Sequence, residues 1–411
     1  MYQLAVVVAA IVLFYGAIPA AGAFFVRNEW RRFRRRLLSA SLEPDVSTAR
    51  LGRHLDGNKP VGRFRAFGTL EAIQGNSRIW IRTSSRSVSA AMSGVRVYML
   101  SSSLYSGSDA DQTLPGSPIS DESPTAVRWE RVSSLPEGSG VFIAGELSAH
   151  AGQLEFAGTR DSPLLVEFFD GNPETFLDRA IWSARQRNEY WNQFTPVSVA
   201  IGSLGLFILA YLFSRSPDVL SAALVAVTGG LVPLYPFLPP GVLLYFAYRR
   251  LWHTARYLRA QRDILRLPVR YLAAVGGDSA TLPNGSLFQK KSVDYEEAEA
   301  LIRAGAQFRR RPPSRLLARA GVGDSAGGGF PAVGAGSRER RFVAYGESRN
   351  GRLHKSDDPL VGFYVYTGDA EAVARWCARR ARIYELISAA SFFVGLFANW
   401  YLAVVLISLL V

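Results

Sequence analysis

One cysteine, four histidines and four lysines in 411 residues leave little material for several common chemistries. A lone Cys377 excludes an intramolecular disulfide framework and any zinc centre built on paired cysteines, a RING included. There is no Gly-x-x-x-x-Gly-Lys-Ser/Thr phosphate loop and no His-Glu-x-x-His helix. The glycines between 321 and 336 lack both the spacing and the lysine that phosphate cradling needs. With so few lysines, the net charge of +13 is carried by arginine, a usage that fits a GC-rich bacterial genome.

Charge itself is missing from four long stretches. Leu4 to Val26, Val197 to Phe213, Val219 to Tyr248 and Leu386 to Val411 contain no Asp, Glu, Lys or Arg. A helix rises about 1.5 Å per residue, so roughly 20 apolar residues cross the hydrocarbon layer. Residues 1–26, 197–213 and 386–411 are therefore expected to be transmembrane helices. The block 219–248 carries Pro233, Pro236, Pro239 and Pro240, each lacking an amide donor, and is expected to be a single kinked span. The first block is read as a retained span. Met1-Tyr-Gln3 has no basic n-region, and an arginine-rich run that resists translocation follows at once.

What is abundant is arginine at the ends of these blocks. Six lie between Arg27 and Arg36, seven between Arg249 and Arg270, and four between Arg375 and Arg382, while the hinge Ser214 to Asp218 has only Arg215 as a base. The positive-inside bias then puts both termini and that hinge outside and both large polar segments in the cytoplasm, and the expected location is a bacterial cytoplasmic membrane. Arg31, Arg32, Arg34, Arg35, Arg36, Arg249, Arg250, Arg379 and Arg380 are expected at the membrane surface, where each gains about 1 kcal/mol from anionic lipid. Orientation accounts for these clusters without nucleic acid, which is not an expected partner even though Trp30, Phe33, Trp252 and Phe308 interleave with arginines.

The expected fold class is thus an α+β membrane protein with four transmembrane helices and two small β-rich domains, barrel or sandwich-like, each ending in an amphipathic helix. After a basic linker at 27–44, the first domain runs over 45–192. Short strands are expected at Phe64 to Ile73, Ser77 to Thr83, Val95 to Leu100, Ala126 to Val132, Val141 to Leu147, Gln153 to Ala157 and Leu164 to Phe169. A long loop is expected at Ser106 to Pro124. A basic juxtamembrane helix at 249–264 leads to the second domain, 265–383, with strands at Val269 to Val275 and Ser286 to Phe288, a short helix at Tyr295 to Ala304, and a glycine-rich loop at Gly321 to Gly336.

Two stretches about two hundred residues apart read as copies of one another. Val141-Phe-Ile-Ala-Gly-Glu146, Gly152-Gln-Leu154, Pro163-Leu-Leu-Val166 and Gly171-Asn-Pro-Glu174 are followed by Phe342-Val-Ala-Tyr-Gly-Glu347, Gly351-Arg-Leu353, Pro359-Leu-Val361 and Gly368-Asp-Ala-Glu371 in the same order. Each closes on a helix start with an Asn or Asp cap, Asn172 or Asp369, and an acidic first turn. The first stretch, with its Gly145-Glu146-Leu147 strand, its Pro163-Leu-Leu-Val166 strand, a short helix and flanking spans, resembles the GIDE-type, or beside-a-membrane, domain of membrane-anchored ubiquitin ligases and their prokaryotic relatives. The resemblance covers residues 60–213, with an echo at 340–405, and implies a domain architecture. The family's ligase activity belongs to a RING, which the single Cys377 of this chain cannot build.

Candidate reactive residues are sparse. His150 with Asp161, and His354 with Asp357 or Asp358, sit in matching hairpin regions and could bind a metal or transfer a proton, although surface hairpin residues explain them as well. Cys377, flanked by Arg375, Arg379 and Arg380, could be an activated thiol or a lipid acceptor, or a small apolar residue on a helix stripe. No cofactor motif is present. The expectation is a non-enzymatic membrane protein that binds another protein or organises a complex at the membrane surface. The alternatives are a membrane hydrolase using the His150 and Asp161 region and a transporter or channel subunit, the latter weakened by the absence of ionisable residues inside the spans.

Overall fold

In the computed structural model the chain is α+β. The structure describes residues 2–47, 60–100, 125–186, 192–309 and 342–410, apart from positions 76, 133–134, 136, 151–152, 160–161 and 274–275. The loops expected at 106–124 and 321–336 lie outside the described residues. The chain divides into two compact units, one of Met1–Phe33, Gln186–Arg259 and Ala378–Val411, the other of Arg34–Arg185 and Ala260–Cys377.

The first unit is helical. α1 (Tyr2–Ile11) passes through a π-helical turn (Val12–Ala17) into α2 (Ile18–Ala40). Later come α4 (Thr195–Ser214), α5 (Leu220–Gly230), α6 (Gly241–Leu265) and α9 (Ala370–Leu410). Among the described residues three helices are long and apolar enough to cross a membrane: Tyr2–Ala40, Thr195–Ser214 and Ala370–Leu409. Side-chain donors meet backbone carbonyls where these helices touch. Ser198 Oγ donates to Phe14 O in the π turn at 2.6 Å, and Asn192 Nδ2 to Pro19 O at 3.1 Å. Such pairing matters because an unpartnered carbonyl in hydrocarbon costs several kcal/mol.

The proline-rich block is not the single kinked helix expected over 219–248. α5 stops at Gly230, a 3-10 turn occupies Val232–Phe237, and α6 starts afresh at Gly241. The prolines remove amide donors, and Pro236 lies inside the 3-10 turn, so the ladder cannot run through. Carbonyls freed by the break are taken up by α9: Asn399 Nδ2 donates to Tyr235 O at 2.5 Å and to Leu238 O at 2.8 Å. Asn399, a polar side chain within the charge-free block 386–411, is buried among these carbonyls.

The second unit carries two sheets. β1 (Pro60–Gln74), β2 (Arg78–Arg82), β3 (Ser87–Ala91), β4 (Arg96–Met99), β5 (Thr125–Arg128), β6 (Gly140–His150), β7 (Gln153–Ala157) and β8 (Leu165–Phe169) form the first. The pairings β1–β2–β3–β7–β6 return to β1, so five strands close into a small barrel, and a bulge at Leu70/Ala72 bends β1 between its two partners. β3 was not foreseen, because Ser87-Val-Ser-Ala-Ala91 has little apolar alternation to read. From the first half of β6, β8, β4 and β5 extend the sheet outward. The core gathers Ile79, Ile81, Val88, Val97, Val141, Ile143, Phe156, Val166 and Phe168, all buried. α3 (Pro173–Gln186) then follows, with the Asn172 side chain accepting from Glu174 N at 2.9 Å as its cap.

The second sheet has β9 (Ser279–Thr281), β10 (Leu287–Val293), β11 (Gln307–Arg309), β12 (Phe342–Arg349), β13 (Arg352–His354) and β14 (Tyr364–Thr367), in the order β11-β14-β12-β10-β9 with β13 paired to β12. The strand expected at Val269 to Val275 is instead the helix α7 (Leu267–Ala273). Leu267, Pro268, Tyr271 and Leu272 are buried, a spacing of three and four that suits a helical face and overrides the β-propensity of Val269 and Tyr271. α8 (Tyr295–Arg303) stands where a short helix was expected, capped by Asp294, whose side chain accepts from Glu297 N at 2.7 Å. Asp369 caps α9 in turn, accepting from Ala372 N at 3.0 Å.

Four strands of each sheet pair alike. β6 lies antiparallel to both β1 and β8, with β4 parallel to β8. β12 lies antiparallel to both β10 and β14, with β11 parallel to β14. By the registers Ala144↔Leu165 and Tyr345↔Tyr364, the place Glu167 takes in the first sheet, opposite Phe142, is taken in the second by Tyr366, opposite Val343. Glycines mark the same spot. A Cβ on Gly145 would meet Leu164 Cδ1 at 2.6 Å and Ala157 O at 3.3 Å, and one on Gly346 would meet Phe363 Cδ2 at 2.7 Å and His354 O at 3.2 Å.

Candidate functional site

The two histidines do not take equivalent strand positions. His150 ends β6 opposite Gln153, at the tip of its hairpin, and Asp161 lies outside the described residues. His354 stands opposite Glu347, the position that Ala157 takes opposite Glu146, and its side chain is exposed. The sequence match of Pro163-Leu-Leu-Val166 with Pro359-Leu-Val361 also shifts, since Leu165 and Val166 belong to β8 while Leu360 and Val361 precede β14. Cys377 is in no disulfide and has no exposed surface, packed on the buried stripe of α9 with Ala370, Ala374 and Ala381. Among the described residues no cluster of three His, Cys, Asp or Glu side chains could hold a metal ion.

Most of the arginines do lie at the surface. Arg31, Arg32, Arg35, Arg36, Arg249, Arg250 and Arg379 are exposed, and Arg380 is half-buried. Arg34 departs from the set. It is buried, and its guanidinium donates to Ala184 O of α3 at 2.9 Å, because a three-residue step along α2 puts it on the same stripe as Leu37. Trp30 and Phe33 are likewise buried, in edge contact with each other, and are not open to stack on bases.

The polar centre of the second unit is a different arginine. Arg65 on β1 is 1% exposed and makes a bidentate pair with Asp358 from the segment between β13 and β14. Its Nε donates to Glu43 O at 2.7 Å, and Asp45 stands 3.8 Å from the guanidinium. The β-bridge Asp45↔Arg65 places the preceding chain alongside. Burial by itself would lower the arginine's pKa, but the Asp358 carboxylate outweighs it and the pKa rises. Beside the pair, Tyr271 of α7 donates its hydroxyl to Ser41 O at 3.0 Å, with burial pushing its pKa up, and its ring packs on Phe288 of β10. One guanidinium therefore fastens the first sheet to the second.

Further ion pairs surround this brace. Asp263 of α6 accepts from Arg185 Nε at 2.9 Å and from Arg262 Nε at 2.8 Å. Burial would raise its carboxyl, yet the two arginines prevail and hold it below the ordinary range. Glu174 of α3 accepts from Lys355 at 2.6 Å, an exposed second link between the two halves.

Two features escaped sequence reasoning. Arg65 carries no motif, and its partner lies 293 residues away. Glu167, on β8, is wholly buried with neither carboxylate oxygen hydrogen-bonded. Its signal was present as one charge within the otherwise apolar Leu164-Leu-Val-Glu-Phe-Phe169. No family model matches the chain, and no curated protein or solved structure matches it at a significant level.

Proposed function

We propose that the protein is a non-enzymatic membrane scaffold, in which two related β-modules, locked to one another, hold a protein partner at the cytoplasmic face of a bacterial membrane. The observation that carries this reading is the buried Arg65–Asp358 brace, which joins the two sheets within one compact unit. A buried ion pair is a poor source of net stability but a strong specifier of which surfaces meet. The shared strand pairings, the paired glycines and the two capped helices support a duplicated module of the beside-a-membrane kind, without that family's ligase.

The same compactness supports four crossings. If α4 carries the chain across the membrane after residue 185, the chain must cross back before residue 260 to rejoin the second unit. The stretch from α5 to the first turns of α6 is the apolar path available. Eleven residues of α5 span about 16 Å. The six-residue 3-10 turn adds roughly 12 Å, and Gly241 to Tyr248 about 12 Å more. Together these exceed the roughly 30 Å of hydrocarbon. Exposed Arg31, Arg32, Arg249, Arg250 and Arg379 would then meet anionic headgroups on one side.

Two measurements in native membranes test the reading. Cys377 is buried, so single cysteines introduced at Ser85 and Ser216 can be labelled over a low background. Membrane-impermeant maleimide is expected to reach Ser216→Cys from the outer side and Ser85→Cys only after lysis; labelling of both from one side overturns the topology. Photo-crosslinkers at half-buried Glu71 and at exposed Arg82 and Arg349 are expected to capture one recurring protein. Adducts at none of these positions would defeat the scaffold reading.

A further inference from the structure

Glu167 is a buried charge-bearing group that the brace and the collar of ion pairs do not use. Strand alternation puts it on the face of β8 shared with Leu165 and Phe169, away from Val166 and Phe168 in the barrel core. Its antiparallel neighbour is Phe142, and both Phe142 and Phe169 touch the Phe176 ring of α3, at 5.0 and 4.8 Å between centroids. The carboxyl therefore lies between the sheet and α3.

Few groups there could serve an anion. From α3 comes Arg179, whose guanidinium is engaged with Asp170 O. From β4 comes Tyr98, the parallel neighbour of Glu167 and itself buried, and the facing position on β6 is the apolar Phe142. Burial pushes the Glu167 carboxyl well above the ordinary range, and the Arg179 charge opposes this only in part. Natural proteins rarely keep a buried carboxyl without hydrogen bonds. Solvating its anion requires water or a reoriented Arg179, and either needs α3 to move.

We propose that Glu167 is a protonation latch beneath α3: as the neutral acid it lets the helix seat on the first sheet, and on giving its proton to solvent it releases the helix. The far end of α3 is held by Arg34, through Ala184 O, and by Arg185, through Asp263, so release would change how the sheet is carried by α2 and α6. The sign follows from linkage. The folded pKa lies above the unfolded one, so the seating is fully stable below the ordinary carboxylate pKa and is lost as pH rises through the raised value.

The test is amide hydrogen exchange of the peptide 173–186 in the full-length protein in lipid nanodiscs, between about pH 5.5 and 9, corrected for the intrinsic exchange rate. Protection of α3 in the wild type is expected to fall by roughly tenfold for each pH unit crossed near the transition. Glu167→Gln and Glu167→Leu are each expected to hold protection constant over the same range, and either suffices if the other fails to fold. Arg179→Gln, which removes the opposing charge, is expected to move the fall to higher pH. A flat wild-type profile, or the same fall in the Glu167 variants, overturns the latch.

Discussion

The two sheets of the second unit run four strands in the same relative directions, yet the first closes into a barrel while the second stays open, five strands wide with a short hairpin attached. Their shared parts are mechanical. The central strand, the glycine where a hairpin partner and the incoming chain crowd the backbone, and the capped helix after the last strand occur in both. Their differences concern chemistry. Where the first sheet buries Glu167, the second buries Tyr366, in edge contact with Tyr345. A phenol can remain neutral and buried at any physiological pH, whereas a carboxyl cannot do so without a shifted pKa. The comparison separates the pairing that the two sheets share from the chemistry found in only one of them.

The largest effect is expected at the brace between the sheets. Arg65→Ala leaves Asp358, whose side chain is 12% exposed, without its partner and should cost about 3 kcal/mol in denaturant unfolding of the detergent-solubilised protein. Arg65→Met combined with Asp358→Leu should recover most of that loss, because removing both charges removes the desolvation cost too. A double variant no better than the single one would mean that the pair itself, rather than the unpaired charge, holds the sheets together.

Next comes the equivalence of the two glycines. Gly145→Val and Gly346→Val each force a side chain against Leu164 or Phe363 and should each cost about 1–3 kcal/mol by the same assay. A large loss in one sheet and none in the other would break the correspondence of the two strands. The helix caps sharpen it at smaller scale. Asn172→Ala and Asp369→Ala should each lower protection of the following turn by about 1 kcal/mol, read by hydrogen exchange at residues 174–176 and 371–373. The smallest change is expected from Lys355→Ala. Its ion pair with Glu174 is exposed, so unfolding should shift by at most about 0.5 kcal/mol, against the several expected for the buried link beside it.

Legibility in the sequence followed the range of the forces involved. Seven strands of the first sheet overlap expected runs, since alternation and turn residues are local signals. β3 and α7 did not, one lacking a pattern and the other having its propensity overridden by burial on a helical face. The exposure of Arg31, Arg32, Arg35, Arg36, Arg249, Arg250 and Arg379 was readable because charged side chains far from a partner stay in solvent. Arg34 was misread because only the packing of α2 against α3 decides which arginine on that helix turns inward.

Composition by itself determined that this chain has helices long and apolar enough to cross a membrane, α+β structure between them, and helix starts capped at Asn172 and Asp369. These depend on the free energy of transferring residues to hydrocarbon and on hydrogen bonds spanning two or three residues, both fixed by local sequence. Only the tertiary structure decided that the proline-rich block breaks in two and is mended by Asn399, that Arg65 finds Asp358, and that Glu167 ends with no partner. Each of these depends on which distant groups share a low-dielectric interior, and the worth of a buried polar group is set by that company rather than by its neighbours along the chain.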